Sequence, residues 1–518
     1  MVLAHLKKAR IAVSLLFFIL TAAVLLDFTS VVPPAWTRTI LFLQFAPSLI
    51  NFVGLISVGT IGFAVVAVLT LLFGRVYCST ICPLGTFQDV VSFLARKIRK
   101  TKFHDPIPAY RGIHYAFLVL TLLPLATGSI IAVNLLDPFS NFGRMIGNLF
   151  RPLLIFSNNG LASLLEMSGW YVLFPVALKG ITLSTLLLPA LFFTVIVWMS
   201  FQHGRLYCNS ICPVGSLLRI LSKFSLVRIV IDEESCKGCQ LCQRVCKAGC
   251  IDRNKKTVDF ERCVGCYNCL TACPSAGLSF TMSVRTKRPK LEPIDAPRRS
   301  FLLGTSLLFL GSETRKDTTK VIKPKKDSTV PVYKKFPVSP PGSVSIKQLS
   351  QSCTACHVCV SSCPSQVLQP ALFDYGPAGI LQPRMDFDAS YCNFECIVCA
   401  DVCPNGAIRP ISVEQKKLTQ LGRAYFVKDN CVVVTENTDC GACSEHCPTK
   451  AVTMIPYKTI RIPEVKSEYC IGCGACEHAC PTRPYRAIYV DGNPFHLVAD
   501  KKPTEKKQVV DLKEDFPF

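Results

Sequence analysis

Residues 236–246 read CKGCQLCQRVC, in which four cysteines are separated by two, two and three residues. The same spacing returns at Cys263-Cys266-Cys269-Cys273, at Cys353-Cys356-Cys359-Cys363 and at Cys470-Cys473-Cys476-Cys480. Two looser groups lie between the last two of these, at Cys392-Cys396-Cys399-Cys403 and Cys431-Cys440-Cys443-Cys447. Three closely spaced thiolates hold one cubane, and the fourth cysteine reaches the other cubane of a pair. The pattern therefore predicts six [4Fe-4S] clusters.

Of the 29 cysteines in the chain, 24 belong to these six groups. Zinc binding and disulfide bonding are the alternatives for any single CxxC pair. Neither explains four copies of one three-plus-one pattern, so the cysteines indicate an electron carrier. Cysteine use of this kind does not report an oxidising compartment.

The composition separates the chain into an apolar half and a polar half. The 518 residues are too many for one domain, 50% of them are hydrophobic, and the apolar ones are concentrated before position 205. The formal charge of +22 comes from basic residues that flank apolar segments and linkers, without any nucleic-acid recognition motif. We therefore expect a membrane lipid environment and no nucleic-acid partner.

The first 225 residues are predicted to form a four-helix membrane domain. Four segments, near 10–27, 52–73, 113–133 and 184–202, approach the roughly 20 apolar residues that cross a bilayer. Basic residues are dense before the first segment and after the second, which predicts that both ends of the unit face the cytoplasm. The long third connection, 134–183, has apolar stretches that are candidates for interfacial or re-entrant helices.

This half contains an internal repeat. The stretch GRVYCSTICPLG at 74–85 returns as GRLYCNSICPVG at 204–215, so each half of a duplicated helix pair ends in CxxxCP. Cysteines four apart share one face if the turn is helical, and two such faces would gather Cys78, Cys82, Cys208 and Cys212. A seventh metal site or a redox-active thiol site is one interpretation. The other is packing cysteines at a tight turn.

Residues 226–284 are predicted to fold as a cytoplasmic two-cluster ferredoxin of the α+β bacterial type. Exchange of the fourth ligands gives two sets: Cys236, Cys239, Cys242 and Cys273 for one cluster, and Cys263, Cys266, Cys269 and Cys246 for the other. Cys250 is left over and is interpreted as a packing residue.

Residues 346–495 are predicted to form a four-cluster ferredoxin domain. Nested pairing, first group with fourth and second with third, is the simplest arrangement. It gives four ligand sets: Cys353, Cys356, Cys359 and Cys480; Cys470, Cys473, Cys476 and Cys363; Cys392, Cys396, Cys399 and Cys447; Cys431, Cys440, Cys443 and Cys403.

The segment 285–345 has the lysine, proline and serine content of a linker. Within it, Arg298 and Arg299 precede an apolar stretch that ends at Gly311, and this 298–311 segment resembles a twin-arginine export signal. Export would place the 346–495 domain in the periplasm; a short apolar hairpin on the membrane is the alternative. The tail, 496–518, is charged.

These motifs together resemble a known pair of families. The first 284 residues resemble the NapH and MauN-type membrane polyferredoxins, with two CxxxCP motifs and a two-cluster ferredoxin. Residues 298–495 are similar to the NapG and MauM-type four-cluster ferredoxins. The resemblance implies a bacterial inner-membrane protein that acts as a quinol dehydrogenase component, oxidising menaquinol or ubiquinol and passing electrons to a periplasmic c-type cytochrome or molybdoenzyme.

Three functions are therefore open. The leading one is quinol oxidation, for which His114 and His203 are candidate proton acceptors. The second is reduction of a metal ion, as in the copper-handling reductases that share the CxxxCP helices. The third is a scaffold for maturation of a partner reductase.

Overall fold

The computed structural model describes residues 2–29, 31–54, 61–99, 111–180, 183–232, 234–252, 256–282 and 329–501. The twin-arginine-like segment 298–311 and the tail from 502 onward lie outside these described residues. The described residues form a helical unit (up to residue 225), a first ferredoxin unit (226–282) and a second ferredoxin unit (329–501).

The helical unit occupies the first 225 residues. Its helices are α1 (Val2–Leu26), α2 (Pro34–Leu41), α3 (Phe45–Gly54), α4 (Gly62–Phe73), α5 (Tyr77–Thr80), α6 (Pro83–Arg99), α7 (Arg111–Ala126), α8 (Ile131–Leu136), α9 (Pro138–Met145), α10 (Arg151–Met167), α11 (Leu183–His203), α12 (Leu206–Ser210) and α13 (Pro213–Ser222). A π-helical turn, Ile146–Phe150, joins α9 to α10.

Two of the four predicted membrane spans are full-length helices. Within the described residues, His5–Leu26 and Thr185–His203 are the segments long and apolar enough to cross a bilayer. Within the second predicted span, residues 55–60 lie outside the described residues, which contain the end of α3 on one side and α4 on the other. The third predicted span is divided between the shorter helices α7 and α8. Two full-length spans are therefore present in the described residues, and the predicted four are not confirmed.

The third connection of the helical unit folds inward. Asp137 caps α9 by accepting a hydrogen bond from the Ser140 amide, and Pro138 occupies the first helical position, where its missing N–H costs nothing. All eight residues of α9 are buried, and the helix packs between α6 and α11. The α9 part of this connection therefore belongs to the core, whereas most of the connection after residue 150 is exposed or half-buried.

The first ferredoxin unit is α+β, as its sequence predicts. Its elements are β1 (Val227–Ile231), α14 (Leu241–Arg244), β2 (Ile251–Asp252), β3 (Thr257–Val258), α15 (Asn268–Ala272) and β4 (Leu278–Met282). Strands β1 and β4 pair antiparallel across the unit, and β2 pairs with β3 in a short hairpin. The hairpin folds the second cysteine group back onto the first.

The second ferredoxin unit comprises residues 329–501. Its elements are α16 (Ile346–Ser352), α17 (Val358–Ser361), β5 (Leu368–Pro370), β6 (Pro383–Met385), α18 (Val398–Val402), α19 (Val413–Leu418), β7 (Thr419–Phe426), α20 (Val432–Thr435), α21 (Ala442–Glu445), β8 (Val452–Tyr457), β9 (Ile460–Val465), α22 (Ala475–Ala479) and β10 (Ile488–Val498), with 3-10 turns at Pro377–Gly379 and Lys428–Asn430. Residues 329–345, assigned to the linker by composition, pack on this unit: the Val330 amide donates to Asn430, and the Lys335 amide donates to Asp491.

Both ferredoxin units contact the helical unit, and they do so at different ends of α1. Lys7, near the start of α1, donates to Thr271 of α15. At the other end, Asp27 and Cys363 are both electrostatic neighbours of Arg151. The 25 residues of α1 rise about 1.5 Å each, roughly 37 Å in all. The two ferredoxin units therefore lie about one bilayer thickness apart along this helix.

Candidate electron-transfer sites

The first ferredoxin unit gathers its cysteines into two quartets. Quartet A consists of Cys236, Cys239, Cys242 and Cys273, since the other three are electrostatic neighbours of Cys242. Quartet B consists of Cys246, Cys263, Cys266 and Cys269, which line one small cavity. These are the sets that exchange of the fourth ligand predicts.

The second ferredoxin unit gathers its cysteines into four quartets, here named C to F. They are C, with Cys353, Cys356, Cys359 and Cys403; D, with Cys363, Cys392, Cys396 and Cys399; E, with Cys447, Cys470, Cys473 and Cys476; and F, with Cys431, Cys440, Cys443 and Cys480. The widely spaced Cys431 thus joins a complete quartet.

The nested pairing predicted for this unit is wrong. Cys480 does not join Cys353, nor does Cys403 join Cys431; the structure pairs the first group with the second and the third with the fourth. The physical reason is local. The β5–β6 pair folds the second group back onto the first, and the β8–β9 hairpin does the same for the last two groups. Each neighbouring pair therefore repeats the arrangement of the first ferredoxin unit.

The chemistry of these quartets fits cubane clusters. Burial raises the pKa of Cys356, Cys443 and Cys473 to about 12, so these apolar cavities disfavour bare thiolates and favour thiolates bound to a cation. Among the described residues, no three cysteine, histidine or acidic side chains are placed to hold a single metal ion. Four thiols around a cavity instead suit a wider group, as a cubane is, whereas zinc needs sulfurs about 2.3 Å from one centre.

Cys250 contacts quartet B from inside the protein. Its sulfur lies 3.5 Å from the Cys246 sulfur, and its amide donates to the same atom. The hydrogen bond from Cys250 is the main reason that the pKa of Cys246 falls to about 6. Cys250 therefore stabilises the thiolate form of its neighbour.

The two CxxxCP turns meet in the core of the helical unit. Cys78, Cys82, Cys208 and Cys212, here called the four-thiol site, are all buried and are mutual electrostatic neighbours. Each repeat supports the other through one arginine. Arg75 donates to the carbonyl oxygen of Cys208 at 2.8 Å, and Arg205 donates to that of Cys78. The glycines of the two motifs are required because a Cβ on Gly85 or Gly215 would overlap those same carbonyl groups.

A buried carboxylate, Asp89, forms ion pairs next to the four-thiol site. Asp89 binds Arg205 at 2.8 Å, Lys247 at 3.0 Å and Arg10 at 3.1 Å. Burial alone would raise the pKa of Asp89, but Arg205, Lys247 and Arg10 lower it below its usual range. No sequence motif identifies Asp89, Lys247 or Arg10 as members of this cluster. The repeat does contain a sequence signal for the arginine, because Arg75 and Arg205 follow an apolar helix at the same position of the two copies.

Quartet B lies directly against the four-thiol site. Ser79, next to Cys78, donates to the carbonyl of Gly265 at 3.2 Å, and Asn209, next to Cys208, donates to that of Ala248 at 3.3 Å. Both acceptors lie in the cysteine loops of quartet B. Quartet A adjoins quartet B, since Cys242 is an electrostatic neighbour of Cys269.

On its other side, the four-thiol site connects to quartet C through α9. The Tyr207 hydroxyl, one residue before Cys208, accepts a hydrogen bond from Asn141, and Asn141 also accepts one from Arg144 at 2.8 Å. Arg144 has Tyr207 and Cys356 among its electrostatic neighbours. A Cβ on Gly143 would overlap the Cys356 carbonyl, so glycine permits this close approach.

The remaining quartets follow in order. Quartets C and D adjoin because α17 carries Cys359 of C and is followed by Cys363 of D. The Cys392 amide of D donates to the Cys473 carbonyl of E at 3.0 Å. Quartets E and F adjoin because Cys443 of F is an electrostatic neighbour of Cys476 of E. Cysteine sites therefore run from A through B, the four-thiol site, C, D and E to F.

Three described histidines that stand beside quartet cysteines in the sequence bond backbone carbonyl groups. His357 is buried, bonds the Leu381 carbonyl and contacts Asn148, and burial lowers its pKa to about 3. His478 bonds the Phe387 carbonyl, and the exposed His446 bonds the Ala442 carbonyl. His114 is buried beside Arg219.

Family models match the cysteine-bearing segments. A 4Fe-4S binding domain model matches residues 56–101 and again 185–230, the two CxxxCP repeats. A 4Fe-4S dicluster domain model matches 352–407 and 438–483, which hold quartets C and D and most of E and F. Two further 4Fe-4S binding domain models match 233–249 and 256–278. No solved structure matches the chain.

Several curated relatives each match part of the chain. An uncharacterized protein of Methanocaldococcus jannaschii is 28% identical over 50% of this chain and 86% of its own length. The ferredoxin-type protein NapH of Haemophilus influenzae is 27% identical over 36% of this chain and 52% of its own length. The methylamine utilization ferredoxin-type protein MauM of Methylobacillus flagellatus is 30% identical over 26% of this chain and 59% of its own length.

The chain spans less than two thirds of the length of the named NapH and MauM relatives. With the 4Fe-4S domains that the models match, these similarities confirm the resemblance of both halves. The chain resembles the NapH/MauN-type polyferredoxins and has a MauM-like ferredoxin region, and with its 4Fe-4S domains it is an iron–sulfur electron-transfer protein.

Proposed function

We propose that this protein oxidises a quinol at the membrane and carries the electrons along its clusters to a periplasmic cytochrome or reductase. The observation that supports this most is the unbroken series of cysteine sites from quartet A to quartet F. Each quartet would hold one [4Fe-4S] cluster through its four sulfurs, for six clusters and 24 ligands. When bound, each cluster would accept or donate one electron at a time.

The protein's own residues would position and tune these groups. Buried amides and hydroxyls next to the thiols lower the energy of negative charge on sulfur: the Ala355 amide donates to Cys353, and Thr482 contacts Cys480. Hydrogen bonds and burial of this kind set cluster potentials. Differences between quartets in these contacts would determine the direction of flow.

A position across the inner membrane accounts for the separation of the two ferredoxin units. Helices α1 and α11 expose apolar side chains, among them Leu16 and Leu187. Trp36, Trp170 and Tyr171 are each at least 66% exposed, and such aromatic side chains favour the membrane–water interface. The first ferredoxin unit would then face the cytoplasm and the second the periplasm.

In this arrangement the four-thiol site would be the seventh redox site. It would join quartets B and C, which lack any other link by cysteines in the described residues. Two chemistries are open to it: a metal cluster wider than a single ion, held by the four thiolates, or reversible oxidation of two thiols to a disulfide. A cluster would let one electron cross the helical unit in two shorter steps. A dithiol–disulfide couple exchanges two electrons and two protons, so it would take two electrons in turn from the cluster on one side and give them in turn to the cluster on the other, with its protons exchanged with solvent.

The test is anaerobic reduction of the full-length protein in detergent by menadiol, followed by electron paramagnetic resonance. We expect about four irons for each quartet and reduced-cluster signals after menadiol addition. Zinc in place of iron, or clusters that dithionite reduces and menadiol does not, would contradict the proposal. Protease added to spheroplasts should cleave the second ferredoxin unit; its protection would refute the periplasmic location.

The relay role has a separate test. Cys208→Ala should leave dithionite-reduced signals of quartets A to F in place while slowing electron exchange between the two ferredoxin units. Ser222→Ala serves as the control, because it removes a buried polar side-chain atom of the helical unit outside the four-thiol site. Equal exchange rates in the two variants would remove the relay from the scheme.

A further inference from the structure

A groove lies where the helical unit meets the second ferredoxin unit. Its walls come from the π-helical turn and the start of α10, the loop before α11, helix α17 and strand β5. Apolar side chains, among them Ile155, Leu178 and Leu186, line one part of it. Polar side chains line the rest, including Asn148 and Arg151.

Two polar atoms in this lining have no partner. Ser361 is 2% exposed, and its hydroxyl makes no hydrogen bond; the Nε of Arg151 is likewise buried without a partner. Leaving such groups unpaired typically costs about 1–3 kcal/mol each. A ligand that offers oxygen atoms at both positions would remove this cost.

Other polar groups of the groove are already engaged in building it. Gln366 accepts from the Lys179 amide and donates to the Ala177 carbonyl, which fixes the loop before α11 against β5. The amide nitrogen of Asn148 contacts both His357 and the Thr185 carbonyl. The Asn148 side chain therefore has its carbonyl oxygen left to offer, as an acceptor. The turn that carries it is π-helical, a feature frequent at functional sites.

The groove adjoins two cysteine quartets at once. Its ferredoxin-side wall includes Ser361 on α17, the segment that supplies Cys359 to quartet C and precedes Cys363 of quartet D. Arg151, on the opposite wall, has Cys363 as its main electrostatic neighbour. A two-electron donor bound here could reduce both clusters without moving.

The groove also adjoins surface that suits an isoprenoid tail. Leu153 on α10 is 63% exposed, and Leu183 and Leu187 on α11 are 73% and 59% exposed. Leu153 and Leu187 are next in sequence to Pro152 and Leu186 of the lining. A ring in the groove could therefore keep its tail in the hydrocarbon layer.

We propose that this groove binds the headgroup of the quinol, with Arg151 and Ser361 on its oxygens and Asn148 accepting from a quinol hydroxyl. The site rests on the proposed quinol oxidation and gives it a location. In the step, both O–H bonds of the quinol break and it becomes the quinone. One electron would go to the cluster that quartet C would hold, the other would go to the cluster that quartet D would hold, and the two protons would pass to solvent.

The test is photolabelling of the full-length protein by an azidoquinone, with peptide mapping by mass spectrometry. Label should fall in 147–152, 178–186 or 366–370, and excess menadione should prevent it. Arg151→Met and Ser361→Ala should each weaken menadione binding about tenfold, because each removes one hydrogen bond to the ring oxygens. Arg461→Met, on an exposed position of β9, is the matched control and should bind normally.

Reduction of the clusters, followed by electron paramagnetic resonance, distinguishes failure of the proposed site from failure of the proposed function. Dithionite-reduced resonance spectra should be the same in all variants, since none removes a cluster ligand. Label at another place, or binding unchanged in both groove variants, would overturn the site while leaving quinol oxidation intact if menadiol still reduces the clusters. Displacement of the label by phospholipid but not by menadione would overturn it in favour of a lipid site. Absence of both labelling and menadiol reduction would defeat site and function together.

Discussion

Replacement of Asp89 by asparagine should destabilise the protein more than the loss of any exposed ion pair. The carboxylate faces Arg10, Arg205 and Lys247, whose side chains are 5%, 0% and 11% exposed. A neutral amide would leave these cations together without a counter-charge. Breaking one buried pair costs about 3–5 kcal/mol, so we expect the free energy of unfolding to fall by at least about 3 kcal/mol.

The matched control is Asp401→Asn, since Asp401 pairs with Arg38 where the two side chains are 29% and 50% exposed. Exposed pairs contribute about 0–1 kcal/mol. Chemical denaturation in detergent, followed by loss of cluster absorbance, measures both variants. Because the pKa of Asp89 is lowered in the folded state, its contribution is present above its ordinary value of 3.8 and is lost only as the pH falls through the folded pKa. An Asp89 effect no larger than that of Asp401 would refute the reasoning.

Three more predictions concern the second ferredoxin unit. If Cys353 and Cys403 hold one cluster, replacing either or both with alanine should remove the same amount of iron, about four atoms. A double variant that loses the sum of the two single losses would support the nested pairing instead. Gly143→Ala should weaken docking of this unit by about 1–3 kcal/mol through overpacking, whereas Gly160→Ala, with open space at its Cβ, should be neutral or slightly stabilising in thermal unfolding. Burial lowers the pKa of His496 to about 4, so the free energy of unfolding should fall as the pH drops from about 6.5 towards 4. His496→Gln should flatten this pH dependence in denaturation experiments across the same range. An unchanged pH dependence in the variant would contradict the role of His496.

Much of the cysteine chemistry could be predicted from the sequence because each cluster motif is local. Three ligands of every cubane lie within a short loop, so spacing alone identifies them. The fourth ligand in residues 236–273 could also be predicted, since only two groups are available there. In residues 353–480, four groups allow several pairings, and the choice depends on which strands pair.

The four-thiol site was predictable from the sequence only in part. The repeat of Cys78 and Cys82 at Cys208 and Cys212 predicted that four thiols could meet. The exchange of hydrogen bonds by Arg75 and Arg205 was not predictable, because it depends on how two distant turns face each other.

By itself, the sequence determined the number of cysteine groups, the α+β character of the ferredoxin units and the duplication in the helical unit. These follow from spacing and periodicity, which act over a few residues. The tertiary structure decided the pairing of quartets C to F, the contact of α9 with quartet C and the groove at Arg151 and Ser361. Each of these joins residues far apart in the chain, and only packing of whole elements brings such residues together.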